Sequence, residues 1–145
     1  MSDIAFESVT PILPVASVRK ALAHYVDVLG FEQDWPGEEN FASISRGRCH
    51  LFLAEGDQGR PGTWVWIGVS DVDRLHADYA RRGVKVRHPP TNYPWAREMQ
   101  VEDLDGNVLR MGCDRRAGEP NGEWLDMRGV RWRRDEDGNW SSVGG

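Results

Sequence analysis

Two stretches of this chain repeat one pattern, and that repeat constrains the fold more than any other feature. Residues 9–56 read as a strand, a helix opening at Ser17 and closing at Gly30, and three further strands; residues 63–114 read the same way, with a helix opening at Ser70 or Asp71 and closing at Gly83. Repeat arrays need about three or more units to cover their apolar faces. Two copies therefore predict a paired-module domain with a concave surface where the modules meet.

The spacing predicts a first helix over 18–29. Val18, Ala21, Leu22, Tyr25, Val28 and Leu29 form one apolar stripe, Ser17 caps the start, and Gly30 suits the left-handed position after the last turn. The second helix is expected over 72–82, with Val72, Leu75, Tyr79 and Ala80 as its stripe. Strands are expected at 31–35, 41–45 and 49–54, and again at 84–87, 97–103 and 107–111. Arg46-Gly47 and Asp105-Gly106 supply turns, and 36–40, 56–62 and 88–94 carry the Pro, Gly and Asn of loops. The outcome is β-α-β-β-β twice, an α+β fold expected to make a curved mixed sheet around a cavity. A single domain is expected over 1–145, with module one at 8–56, a linker at 57–62, module two at 63–114 and a tail at 115–145.

Composition removes several function classes. A net charge of −5 disfavours nonspecific nucleic-acid binding, and the basic cluster at 128–134 is followed at once by Asp135, Glu136 and Asp137. No apolar run approaches the roughly 20 residues that span a bilayer, and the first residues lack a basic segment followed by an apolar one. Cys49 and Cys113 lie in expected strands without CxxC spacing and read as reduced core thiols, so a cytoplasmic protein with no membrane partner is expected. Acidic balance with seven tryptophans suits a cationic, aromatic small molecule better than an anionic polymer.

The residues that carry a resemblance are Pro14-Val15, Ala21, Tyr25 and Leu29-Gly30-Phe31 in the first half. In the second they are Val69 to Asp73, then Pro94-Trp95-Ala-Arg97-Glu98-Met99 and Asp103-Leu-Asp-Gly-Asn107. Together they resemble the vicinal-oxygen-chelate superfamily (glyoxalases, bleomycin-resistance proteins, fosfomycin-resistance enzymes and extradiol dioxygenases), and the bleomycin-resistance branch in particular. The resemblance implies a metal site built from the first and last strands of each module. The corresponding positions hold Thr10, Phe52, Trp64 and Arg110. Phenylalanine and tryptophan offer no ligating lone pair, and a permanent guanidinium opposes a bound cation, so no metal, cofactor or catalytic residue is expected. No His-x-x-x-His, HExxH, GxSxG or Walker loop appears either.

What the branch resemblance implies instead is a homodimer whose grooves sequester a planar, cationic antibiotic. Alternation puts Trp64 and Trp66 on one face, with Arg110 from the final strand of the same half. Trp35 and the Tyr93-Pro94-Trp95 loop add aromatic surface, and His50 shares a face with Phe52. The expected ligand-binding set is thus Trp35, His50, Phe52, Trp64, Trp66, Tyr93, Trp95 and Arg110. Glu38, Glu39 and Glu98 are candidate carboxylates; Glu98 is read as supporting its loop rather than binding ligand, and Arg110 can equally pair with a neighbouring acid. Trp124, Trp132 and Trp140 lie beyond the repeat and read as core packing or dimer contacts. Two other classes stay open: an enzyme using His50, Glu98 or Arg110 on a small carbonyl substrate with an atypical or absent metal site, and a partner protein docking through 119–140.

Overall fold

The computed structural model describes residues 7–60 and 62–144. Contacts divide the chain into two compact units, one running through Val65 and taking in Asp103–Asn107, the other comprising Trp66–Glu102 and everything described from Val108 onward.

The first unit holds β1 (Ile12–Pro14), α1 (Val18–Ala23), β2 (Glu32–Gln33), β3 (Phe41–Arg46) and β4 (Cys49–Ala54), in sheet order β1-β4-β3-β2. β1 runs parallel to β4 with Ile12 opposite Phe52, while β3 and β4 form an antiparallel hairpin. Alternation sorts this sheet: Ala42, Ile44, Leu51 and Leu53 are buried with Leu13, Ala21, Tyr25, Leu29 and Phe31, leaving Phe41, Ser43, Ser45, His50 and Phe52 on the other face. The Ser17 hydroxyl accepts from the Lys20 N–H at 3.2 Å, as its N-cap position requires. The helix differs from expectation past Ala23, where His24–Val28 form a π-helical turn. The Leu29 N–H donates to the His24 carbonyl at 3.1 Å and the Phe31 N–H to the Tyr25 carbonyl at 2.9 Å, so the wider turn absorbs one residue before Gly30 at φ +82°. Tyr25, at the start of that turn, is fully buried and donates its hydroxyl to Asp103 at 2.9 Å.

The second half of the chain repeats the plan. α2 (Val72–Arg81) is capped by Asp71, which accepts from the Arg74 N–H at 3.0 Å. β5 (Trp64–Gly68), β6 (Val86–Asn92), β7 (Arg97–Glu102) and β8 (Val108–Cys113) form a sheet in the order β5-β8-β7-β6, the same order as in the first. β6 corrects the expected loop at 88–94. Its pairing with β7 shifts register between His88 and Thr91, so Pro89 and Pro90 lack ladder partners, and an edge strand tolerates that loss. Cys49 and Cys113 are also corrected: both are free, but half-buried rather than in the core.

The tail builds a third sheet, β11-β10-β9, from β9 (Trp124–Leu125), β10 (Arg131–Arg134) and β11 (Trp140–Ser142). One turn design makes three hairpins. In Asp103–Asn107, 126–130 and 135–139 the leading Asp accepts two backbone N–H groups with its Oδ1, all at 2.8 or 2.9 Å. The fourth residue of each turn is a glycine, with φ of 80° at Gly106, 84° at Gly129 and 89° at Gly138. Only glycine enters that region without strain.

Candidate functional site

In the first unit the outward sheet face carries a short aromatic row. Trp35, 43 % exposed, stacks on Phe41 with centroids 6.2 Å apart, and Phe41 meets Phe52 at 5.0 Å. Beside it, Asp34 accepts from the hydroxyls of Ser43 (2.7 Å) and Ser45, and lies 3.4 Å from His50 Nδ1. The Ser45 hydrogen bond, helped by Ser43 and His50 and opposed by desolvation, holds the Asp34 carboxyl below the usual range. Glu38 and Glu39 are exposed in the β2–β3 loop.

In the second unit the centre is Glu98, 1 % exposed on β7. It accepts from Arg110 Nε at 2.8 Å and from Nη2 at 3.0 Å, a two-point carboxylate–guanidinium pair. It also accepts from the Trp95 indole N–H at 2.6 Å. The pairing left open for Arg110 is thus made with Glu98, and Glu98 does support its loop. The Arg110 guanidinium carbon also lies 4.9 Å over the Trp124 ring, within cation–π range. Trp95 stacks on Tyr93 (5.1 Å, 10° between planes), stands edge-on to Trp124 (5.8 Å) and meets Trp140 at 6.2 Å. Trp66, 52 % exposed, lies against Gly112, where an added Cβ would sit 3.0 Å from the indole and 2.9 Å from Glu98 Cγ. Trp64, at the start of β5 and assigned to the first unit, is half-buried.

A polar network ties the tail to this unit. The Asn92 side-chain amide donates to the Arg116 and Glu119 carbonyls at 2.8 and 2.9 Å, and the Gly122 N–H donates to the Asn92 carbonyl at 2.8 Å. Buried Arg97 makes two 2.8 Å bonds to Asp73 and a further pair with Glu119. Chiefly through the Arg97 hydrogen bond, the Asp73 carboxyl titrates below its usual range. Gln100 donates to the Leu125 carbonyl at 2.9 Å, Arg87 reaches the Asp126 carbonyl, and the Tyr93 hydroxyl donates to the Glu123 carbonyl at 3.1 Å. Burial pushes the Tyr93 phenol up to about 12 and the neighbouring His88 imidazole down.

This anchoring leaves a cavity of about 360 Å³ lined by Trp95, Trp124, Asp126, Trp132 and Trp140. Of the residues expected from sequence, Trp95 lines this cavity, with Tyr93 stacked on Trp95 and Arg110 over Trp124. Trp35 and Phe52 gather around Phe41 in the other unit, and His50 joins Asp34. Trp124, Trp132, Trp140 and Asp126 were passed over, although the two Asp-x-x-Gly turns at 126–129 and 135–138 signal a meander that aligns them.

The positions where a metal ligand is implied do not suit a divalent ion. Arg110 brings a cation already satisfied by Glu98, Phe52 is engaged with Phe41, and Trp64 offers no donor lone pair. Among the described residues no group of three or more His, Cys, Asp or Glu could hold a metal ion. What the residues can do is stack flat rings and hold positive charge.

The sequence model described as Glyoxalase/Bleomycin resistance protein/Dioxygenase superfamily matches residues 6–111. A crystal structure of the bleomycin-binding protein from bleomycin-producing Streptomyces verticillus, complexed with copper(II)-bleomycin, is similar at 29 % identity and a TM-score of 0.66, covering 78 % of this chain and 100 % of that one. A second bleomycin-binding protein, complexed with bleomycin, is 18 % identical with a TM-score of 0.64 over 76 % and 100 % of the two chains. Lactoylglutathione lyase from Agrobacterium tumefaciens shares the fold at 18 % identity and a TM-score of 0.62, over 72 % and 92 %. No curated protein matches by sequence.

Proposed function

Since the chain belongs to the Glyoxalase/Bleomycin resistance protein/Dioxygenase superfamily, we propose that it is a non-catalytic small-molecule binding protein, sequestering a planar, cationic antibiotic or metabolite on aromatic surfaces. The observation that carries this reading is the engagement of Arg110 by buried Glu98, with the Trp95 indole on the same carboxylate. A catalytic ion at the β8 position would have to displace a paired guanidinium, whereas the indoles around it are preset for stacking. The bleomycin-binding relative from Streptomyces verticillus supports a ligand of that kind. A cytoplasmic homodimer, with Trp35, His50, Phe52, Trp64, Trp66, Tyr93, Trp95 and Arg110 in contact with ligand, completes the proposal.

Tryptophan fluorescence of chelator-treated protein, titrated with metal-free bleomycin and separately with nickel and zinc, tests it. Saturable quenching at micromolar concentration without a metal response supports sequestration. Tight stoichiometric metal binding with no response to bleomycin overturns it.

One observation favours a second reading, an enzyme acting on a small carbonyl compound. Asp34 stands 3.4 Å from His50 Nδ1, and the ring is half-exposed. A carboxylate so placed orients an imidazole for proton transfer. Turnover of methylglyoxal–glutathione adduct that disappears in His50→Gln would favour it.

A further inference from the structure

The tail's tryptophans face one way. Trp132 pairs with Trp124 across β9–β10, and Trp140 pairs with Arg134, two residues along from Trp132, so all three indoles share one face of the third sheet. Trp95 closes the fourth side of the cavity and Asp126 supplies its carboxylate. At least two of the four indole N–H groups are already committed to carboxylates: Trp95 to Glu98, and Trp132 to Asp126 Oδ2 at 2.8 Å. Those two rings therefore have no N–H left to offer an anionic or hydrogen-bond-accepting guest. What they present is ring face and edge, and a donor bonded to a carboxylate makes the ring's π face more negative.

The charges nearby agree, with Arg87 turned away onto Gln100 and the Leu125 and Asp126 carbonyls. Trp132 and the Val130 and Arg128 N–H groups hold the Asp126 carboxyl below the usual carboxylate range. Arg110 is neutralised by Glu98, and Arg134, on the tryptophan face, turns back to the Gly138 carbonyl at 3.4 Å. Open access is shown by Trp95 at 49 % and Trp140 at 38 % exposure.

We infer that the C-terminal tail forms an aromatic cage for an alkylated ammonium group, built from Trp95, Trp124, Trp132 and Trp140 with Asp126 as the anionic wall. The cage goes beyond the sequestration reading, because a compact cation can occupy it whether or not a large planar ligand is held. Desolvated cations over indole faces are among the stronger cation–π contacts, and quaternary ammonium groups suit such boxes because they carry charge without needing hydrogen bonds.

The test uses the full chain, with the indole N–H resonances followed by NMR during titration with choline and with 3,3-dimethylbutan-1-ol, its neutral isostere. Choline should shift the cage resonances saturably and bind about tenfold or more tighter than the alcohol. Trp140→Ala, on an edge strand, should lose choline binding, Trp140→Phe should recover most of it, and Glu32→Gln, exposed on β2 in the other unit, should leave it unchanged. Equal binding of the alcohol overturns the inference, because the charge would then be irrelevant. So does choline binding indifferent to Trp140→Ala, and so does the absence of any shift at millimolar choline in the wild-type chain. Metal-free bleomycin titrated in parallel separates the readings: bleomycin binding without choline binding removes the cage alone, and the reverse removes antibiotic sequestration alone.

Discussion

The two four-stranded sheets have the same strand order and opposite surface chemistry. The outward face of β3 and β4 keeps an aromatic row and, over buried Ser43, an Asp34–His50 pair that reaches solvent, with Trp35 and His50 exposed. The corresponding strands of the second sheet, β7 and β8, bury nearly everything: Arg97, Glu98 and Gln100 are all 5 % exposed or less and fully engaged. The difference comes from the tail beyond the repeat (115–145), whose described part hydrogen-bonds to β6 and β7. A repeated topology thus sets where strands lie, while the unrepeated segment decides which polar groups must be satisfied and which rings stay accessible.

The largest expected break falls on the covered sheet. Arg97→Met should cost about 3 kcal/mol, because it strips a buried guanidinium from Asp73 and Glu119 and releases the 116–119 segment; urea unfolding with the mutant's m-value checks it. A loss below about 0.5 kcal/mol, the range of ordinary surface substitutions, would mean that Asn92, Gln100, Arg87 and Tyr93 suffice to hold the tail. Glu98→Gln comes next, at about 2 kcal/mol, since a buried charge-assisted pair becomes a neutral one and Arg110 is left poorly matched. Its near-ultraviolet circular dichroism should change as Trp95 loses its anchor. Gly122→Ala should cost about 1 kcal/mol through overpacking. The new Cβ would sit 2.5 Å from the Thr91 methyl. Thr91→Ser in the same chain should restore most of the loss, and failure to do so would place the strain elsewhere.

Acid should also separate the two sheets. Buried His88 has a lowered folded pKa, so its contribution is complete above the unfolded imidazole value of 6.5 and is lost as pH falls through the folded value. Asp34, likewise lowered, keeps its contribution until pH drops below 3.8 and through its own folded value. Thermal midpoints measured from about pH 8 to about pH 5 should therefore decline in wild type and decline less in His88→Phe, whereas Asp34→Asn should leave that slope unchanged. The smallest effect on stability is expected for Trp35→Ala, less than about 1 kcal/mol for an exposed ring. Any loss of ligand quenching in that variant then reports contact rather than unfolding.

Local chemistry made much of the fold legible. Ser17, Asp71 and Gly30 mark helix ends through bonds made within a few residues, and each is found in that role. The Trp-x-Arg-Glu-Met and Asp-x-Asp-Gly-Asn motifs are visible too; the loop support by Glu98 can be read from them, but the roles of Arg97 and Asp103 cannot. Arg97 clamps the tail, Glu98 anchors Trp95 and Arg110, and Asp103 and Asn107 close a turn that receives the Tyr25 hydroxyl. β6 was hidden because two prolines mimic a loop, and only its pairing to β7 reveals a bulged edge. The cavity was hidden for a different reason. Its walls come from distant parts of the chain, Trp95 against Trp124 through Trp140, and no local period records such a meeting.

The alternation of the tail's sheet also separates holding from recognising. Trp132 and Trp140 point to one side, while Arg131 and Arg133 point to the other, where Glu123 takes up both. Substitutions at 132 and 140 can therefore change what the pocket accepts without loosening the ion pairs beneath it. With the inferred cage as the binding site, such an arrangement would make ligand preference an exchangeable trait. A library confined to two codons of the last hairpin can explore new guests while the repeated scaffold stays untouched.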